Sequence, residues 1–111
     1  MNKVYIIGHI TKDLELKYYG SETDLKPYVQ FSIAVNNKNK STGEKFADFI
    51  NVVAFNRKAE IISEYFSKGR KISIEGHLRT GSYIDNLNNK KYITNVILDN
   101  FDFIDKKEAI Q

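Results

Sequence analysis

The stretch Lys58-Ala59-Glu60-Ile61-Ile62-Ser63-Glu64-Tyr65-Phe66-Ser67-Lys68 is where the period of the chain changes. Ala59, Ile62 and Phe66 stand at i, i+3 and i+7, with Ile61 and Tyr65 on an adjoining stripe. That spacing gathers the apolar side chains on one side of an amphipathic helix of about three turns. Gly69 follows, and glycine readily takes the left-handed conformation that ends a helix. On either side of this stretch the apolar residues recur every second position, the period of a half-buried strand.

Upstream, residues 46–57 read as one strand. Phe46, Ile50, Val52 and Ala54 lie on one face, and Phe49, Val53 and Phe55 on the other. One apolar face is enough for a core, so the second needs a partner. Residues 36–44 carry no apolar side chain and read as an exposed hairpin connection, with Gly43 supplying a positive φ. A second strand is expected from Pro27, with Val29, Phe31, Ile33 and Val35 facing one way and Tyr28, Gln30, Ser32 and Ala34 the other. Residues 20–26 are polar and turn-like. Val4, Ile6, Gly8 and Ile10, continued by Leu14, Leu16 and Tyr18, give the first strand.

Downstream, residues 71–79 form a fourth strand with Ile72, Ile74, Gly76 and Leu78 toward the core. Residues 79–84 continue it into a hairpin arm, 86–91 are its turn, and 92–104 are the last strand. A short polar tail occupies 105–111. Three strands, a helix and two strands fit an all-β fold, the OB-fold: a five-stranded Greek-key barrel with one helix between strands 3 and 4, plugging one end. At 111 residues and 12.8 kDa the chain is expected to be one domain, 1–104, plus the tail.

Composition narrows the chemistry. Cysteine is absent, which excludes disulfides, thiolate metal sites and a cysteine nucleophile. His9 and His77 are far apart in sequence, so no metal is expected, nor any other cofactor. There is no G-x-G-x-x-G, no Walker lysine and no G-x-S-x-G elbow. Asp13/Glu15 and Asp102/Asp105 sit near turns and ends, where carboxylates are solvated rather than tuned for acid–base work. The protein is not expected to be an enzyme. No apolar run approaches the roughly 20 residues that span a bilayer, and no signal peptide is evident, so a soluble, cytoplasmic protein with no membrane partner is expected. Asn39-Lys40-Ser41 matches a glycosylation sequon but is read as chance in that setting. The net charge of +3 permits an anionic partner without demanding one.

The distinctive feature is seven Phe and seven Tyr without tryptophan. Phe31, Phe46 and Phe66 are assigned to the interior. Phe49 and Phe55, six residues apart on one strand, share the opposite face, and Arg57 is expected to share it too. An aromatic and basic row outside a barrel is a poor packing surface and a good stacking platform for bases, with cations at hand for phosphates. The arm repeats the mixture, with Arg79, Gly81, Tyr83 and Asp85 on one face and Lys90 and Lys91 at its turn; Lys38, Lys40 and Lys45 flank the other long loop. Tyr18, Tyr19 and Tyr28 are not assigned.

Several segments resemble the bacterial single-stranded DNA-binding protein family of bacteria, phages and mobile elements. They are Asn2-Lys3-Val4 with residues 7–18, Phe31-Ser32-Ile33-Ala34-Val35-Asn36, and Ala47-Asp48-Phe49-Ile50-Asn51-Val52-Val53-Ala54-Phe55. Tyr65-Phe66-Ser67-Lys68-Gly69 and Ile74-Glu75-Gly76-His77-Leu78-Arg79-Thr80 with Tyr83 complete the set. Two departures stand out. Leu14 replaces the family's proline in its first turn, and Asn37 or a neighbour stands where a further stacking aromatic is frequent. The resemblance implies a homotetramer, a dimer of dimers, wrapping single-stranded DNA over Phe49, Phe55 and Tyr83. It also implies a linker and an acidic tip that recruit replication and repair proteins. This sequence ends at Ala109-Ile110-Gln111, so those partners are expected only where such a tail follows Gln111.

The expected function is sequence-independent binding of single-stranded DNA, by stacking at Phe49, Phe55 and Tyr83 and phosphate neutralisation by Arg57, Arg79, Lys38, Lys40, Lys90 and Lys91, protecting exposed strands in replication, recombination and repair. The alternatives are an OB-fold protein-interaction module of a replication complex with weak or no DNA binding, and RNA binding. The first strand, through Tyr5, Ile7 and His9, is a candidate subunit contact.

Overall fold

Six strands and one helix follow one another in a computed structural model that describes residues 1–104. The elements are β1 (Val4–Ile10), β2 (Lys17–Ser21), β3 (Asp24–Lys38), β4 (Lys45–Phe55), α1 (Asn56–Tyr65), β5 (Lys71–Ile84) and β6 (Lys90–Phe103). The strand order β1-β5-β6-β4-β3 is closed by pairing of β1 with β3 at His9↔Ala34 and Ile10↔Ile33. That is the closed five-stranded OB barrel, with the helix between its third and fourth strands. The expected polar tail, 105–111, lies outside the described residues.

Several boundaries differ from the sequence reading. Residues 17–21 form a strand of their own, β2, folded back on the start of β3 through Lys17↔Tyr28 to Ser21↔Asp24. Pro27 therefore lies inside β3. It sits one residue beyond the last β3–β4 pair, Tyr28↔Phe55, where its missing N–H costs that ladder nothing. The third barrel strand ends at Phe55 rather than Arg57, because Asn56 adopts φ 59°, a left-handed conformation that asparagine tolerates better than most residues. The chain turns there into α1. The helix ends at Tyr65, so Gly69 (φ 89°) shapes the turn into β5 instead of capping the helix, and its N–H donates to Ile10 O at 2.7 Å.

The core follows from the period-two faces. Val29, Phe31 and Ile33 of β3 meet Ala54, Val52 and Ile50 of β4 directly across the ladder. Ile72 and Ile74 of β5, Val96 and Leu98 of β6 and Ile10 of β1 complete the barrel interior. Ala59, Ile62 and Phe66, the i, i+3, i+7 set, are buried against it, and Phe66 meets Phe101 edge-to-face at 5.7 Å. Leu78 was expected inside but is exposed. Past Val4↔Gly76, β5 loses β1 as a neighbour and leaves the barrel wall. Leu78 keeps its backbone partners through Asn2, whose side chain bonds both its N–H and its C=O at 2.8 Å.

Two hairpins project from this barrel. Among the described residues, beyond Ala34↔Phe49 the β3–β4 pair has no third strand paired with it, and beyond Leu78↔Val96 neither does the β5–β6 pair. The first is closed by residues 39–44, where Gly43 has the expected positive φ of 76°. The second is closed by 85–89, where Asp85 Oδ1 accepts from the N–H groups of Leu87 and Asn89. That compact Asx turn moves Lys90 and Lys91 out of the expected turn and onto β6.

The end plug rests on Ile62, which has no solvent exposure. Ile62→Ala is expected to cost about 2–5 kcal/mol of unfolding free energy through the cavity it leaves, read from urea denaturation at unchanged m-value.

Candidate nucleic-acid interface

The outer surface of β3 and β4 follows directly from the register that builds the core. If Val52 and Ala54 point inward, residues of odd number on β4 point outward, and their cross-strand partners with them. This face carries Tyr28 opposite Phe55, Gln30 opposite Val53, Ser32 opposite Asn51, Ala34 opposite Phe49 and, at the tip, Lys38 opposite Lys45. It continues across the short parallel β4–β6 pairing at Val53↔Ile97 onto the β5–β6 arm. There Arg79 lies opposite Asn95, Gly81 opposite Ile93 and Tyr83 opposite Lys91.

Phe49 is 68% exposed on this face, Tyr83 55% and Phe55 37%. The structure thus brings the three aromatic candidates to one side of the barrel, with Phe49 the most open. Phe55 is held. Tyr19 meets it edge-to-face at 5.9 Å and meets Tyr28 at 5.8 Å, while the Tyr19 hydroxyl donates to Asn56 Oδ1 at 3.3 Å. Between the aromatics run two shallow grooves. One, of about 270 Å³, is floored by Gln30, Ser32, Asn51 and Asn95. The other, of about 280 Å³, joins Phe55 and Tyr28 to Arg79, Gly81 and Ile93. The surface therefore alternates flat rings with amide and hydroxyl groups able to meet base edges or sugars.

The cations divide. Arg79 is exposed beside the second groove. Lys91 faces the same way as Tyr83 and reaches Asp85 at 3.9 Å. Lys38 is on the outer face, and Lys40 lies in the exposed loop between the strands. Two candidates are elsewhere. Lys90 is on the reverse of the arm, its ammonium 5.6 Å from the centre of the Tyr92 ring. Arg57 is not on the strand with Phe49 and Phe55. The left-handed Asn56 places it in the first turn of α1, where its guanidinium pairs with Glu60 at 3.3 Å. Phe46, assigned to the interior from its parity, is 47% exposed, because its end of the strand has left the barrel.

Sequence reasoning missed Tyr19 and Tyr28 as neighbours of Phe55. Tyr28 meets Phe55 through the β3–β4 register, whereas Tyr19 reaches both rings through the β2–β3 hairpin, of which the sequence shows only the turn-like residues 20–26. The polar floor was missed for a similar reason. Gln30, Ser32, Asn51 and Asn95 come from three strands, and only the parallel β4–β6 contact sets β6 beside β4.

Among the described residues no cluster of three or more His, Asp or Glu side chains is placed to hold a metal ion, and no helix is long and apolar enough to cross a membrane.

Comparison with known proteins gives a consistent picture. A model of the single-strand binding protein family matches residues 1–104. A single-stranded DNA-binding protein of Clostridium perfringens is 42% identical over 106 residues, covering 95% of this chain and 67% of that protein. Single-stranded DNA-binding protein 1 of Streptococcus pyogenes is 37% identical over 109 residues, covering 97% and 82%. Among solved structures, a Plasmodium falciparum SSB in complex with ssDNA superposes with a TM-score of 0.80 at 25% identity, covering 95% of this chain and 96% of that one. With its OB barrel, its aromatic outer face and these relatives, the chain belongs to the single-strand binding protein family.

Proposed function

We propose that this protein binds single-stranded DNA without regard to sequence, in the cytoplasm, and covers strands exposed in replication, recombination and repair. Residues 1–104 form the binding domain in this reading. The observation that carries it is Phe49: a large apolar ring, two-thirds exposed, on the face of β4 opposite to the core residues Val52 and Ala54. Leaving such a ring in water is a cost that a stacked base removes. Every base has a π-face, so a platform of Phe49, Phe55 and Tyr83 is indifferent to sequence, at about 1–3 kcal/mol per stacked base. The relatives and the structural neighbour are named for the same ligand, single-stranded DNA.

Each cation has its own part. Arg79 borders the groove that Phe55 lines, and in this reading it meets the phosphate of a base seated there. Lys91 stands across the ladder from Tyr83. Lys38 and Lys45 face each other directly at the hairpin tip, a like-charge pair that is destabilising by itself and is relieved by a bridging phosphate. Lys40 extends the same charge into the loop. Arg57 contacts phosphate in this reading only where the strand passes over the start of α1, and it must then be shared with Glu60. Lys90 serves the reverse side of the arm.

The assembly proposed is a homotetramer, a dimer of dimers. β1 supplies a reason. Its pairing with β3 begins only at His9, so among the described residues Val4–Ile7 has a strand paired on one edge only, that of β5, and Tyr5 on this stretch is 72% exposed. An open edge of this kind pairs with a second copy of itself about a two-fold axis.

Phe49→Ala is expected to lower affinity for oligo-dT by about 1–3 kcal/mol, and Phe55→Ala by a comparable amount, with the assembled mass unchanged. Fluorescence titration alongside sedimentation reads both, and a dissociated oligomer with intact DNA binding would instead favour a protein-contact role for the rings. The logarithm of affinity should fall with the logarithm of salt at about −0.7 per phosphate neutralised, and Arg79→Ala should reduce that slope by roughly one such increment; a salt-independent titration would sink the reading. Sedimentation of the unmodified protein is expected to give a tetramer, and a monomer at working concentration would remove the β1 pairing.

A further inference from the structure

Phe46 is an exposed aromatic that the platform does not use. It is 47% exposed, yet its parity puts it on the face of β4 opposite to Phe49. Farther along, that same face holds Ile50, Val52 and Ala54 and is core. The difference is place. Among the described residues the β3–β4 hairpin has no third strand paired with it beyond Ala34↔Phe49, so its inner face meets solvent and not the opposite wall. Directly across the ladder from Phe46 is Asn37, too small and too polar to cover the ring, and its amide turns aside to donate to Asp48 at 3.4 Å.

The surroundings say what could cover the ring. Phe46 lines an open groove of about 760 Å³ at the hairpin tip together with Asn36, Asn37, Lys38, Lys45 and Ala47. Among the described residues, none of Lys38, Lys40 and Lys45 has an acidic partner within ion-pair distance. The acids nearby are Glu44, in the loop, and Asp48, which Asn37 engages. A half-bare ring in a groove that two lysines without acidic partners also line suits an aromatic anion better than an apolar protein surface. Phe49 lies three residues along the same strand, about 10 Å away at the rise of a β-strand and on its other face, so the hairpin carries one ring on each side.

The geometry points to Phe46 as a further base-stacking site on the reverse of the β3–β4 hairpin, occupied by the same single strand of DNA after it rounds the Lys38/Lys45 tip. This rests on the DNA-binding reading above and extends it: the hairpin is an arm that the strand wraps, with one ring on each side. A single strand is flexible enough to change sides at the tip, where the paired lysines hold its phosphates, whereas a duplex is not.

The chain has no tryptophan, so a single tryptophan placed by substitution reports on one site alone. F46W and, in a separate protein, F49W should each be titrated with a dT oligomer of roughly 16 nucleotides, the upper end of an OB-fold footprint. Assembled mass is followed by sedimentation in parallel. Quenching in both variants at unchanged mass is the expected result. Quenching in F49W but not in F46W overturns the reverse-face site and leaves the DNA-binding reading intact. Quenching in neither removes both. An F46W protein that changes mass without being quenched marks Phe46 as a subunit contact and overturns the site. As a second measure, F46A should lower affinity for that oligomer by at least about fivefold, the small end of a stacking loss, and an unchanged affinity would count against it.

Discussion

A strand in a closed barrel has two faces, and the core can take only one. That constraint organises this protein. Val52 and Ala54 are fully buried against Val29 and Phe31, which leaves Phe49 and Phe55 no choice but to face outward. No packing interaction within the described chain covers Phe49. Its exposure is thus a consequence of the same register that makes the barrel stable, and a one-residue slip would bury the rings and expose the core. Binding surface and fold are two readings of one alternation.

The barrel also decides where its strands stop being barrel. β3 with β4, and β5 with β6, extend well past the last residues that have a third strand beside them. The projecting pairs carry side chains that would be costly in a compact fold: Lys38 facing Lys45, and exposed Tyr83, Ile84, Leu87 and Tyr92. Hairpins of this kind hold together by backbone ladders and by turn chemistry such as the Asp85 carboxylate on two N–H groups. They can therefore devote their side chains to a ligand. The aromatic bracing of Phe55 by Tyr19 and Tyr28 shows the opposite arrangement, a ring fixed by neighbours where the strand is still part of the wall.

Much of this was legible locally. The helix set Ala59, Ile62 and Phe66, the inward faces of β3 and β4, and the outward Phe49, Phe55 and Tyr83 all follow from spacing alone, because period is a property of neighbouring residues. Where reading failed, the missing information was of two kinds. Arg57 was placed on β4 because a left-handed Asn56 breaks a strand without breaking its composition. Phe46 and Leu78 were placed in the core because parity names a face but not whether another wall stands opposite it.

The sequence by itself determined the order of the five barrel strands and the helix, the side of each of those strands that is apolar, and the residues able to stack or to carry charge. Only the tertiary structure decided which of those residues meet. Tyr19 comes to Phe55 through a hairpin, Asn95 to Asn51 through a parallel contact of two residue pairs, and Lys38 to Lys45 through the register of the arm. The physical reason is that alternation along a strand is set by the backbone of that strand alone. Adjacency between strands depends on closure of the barrel, which no local pattern encodes.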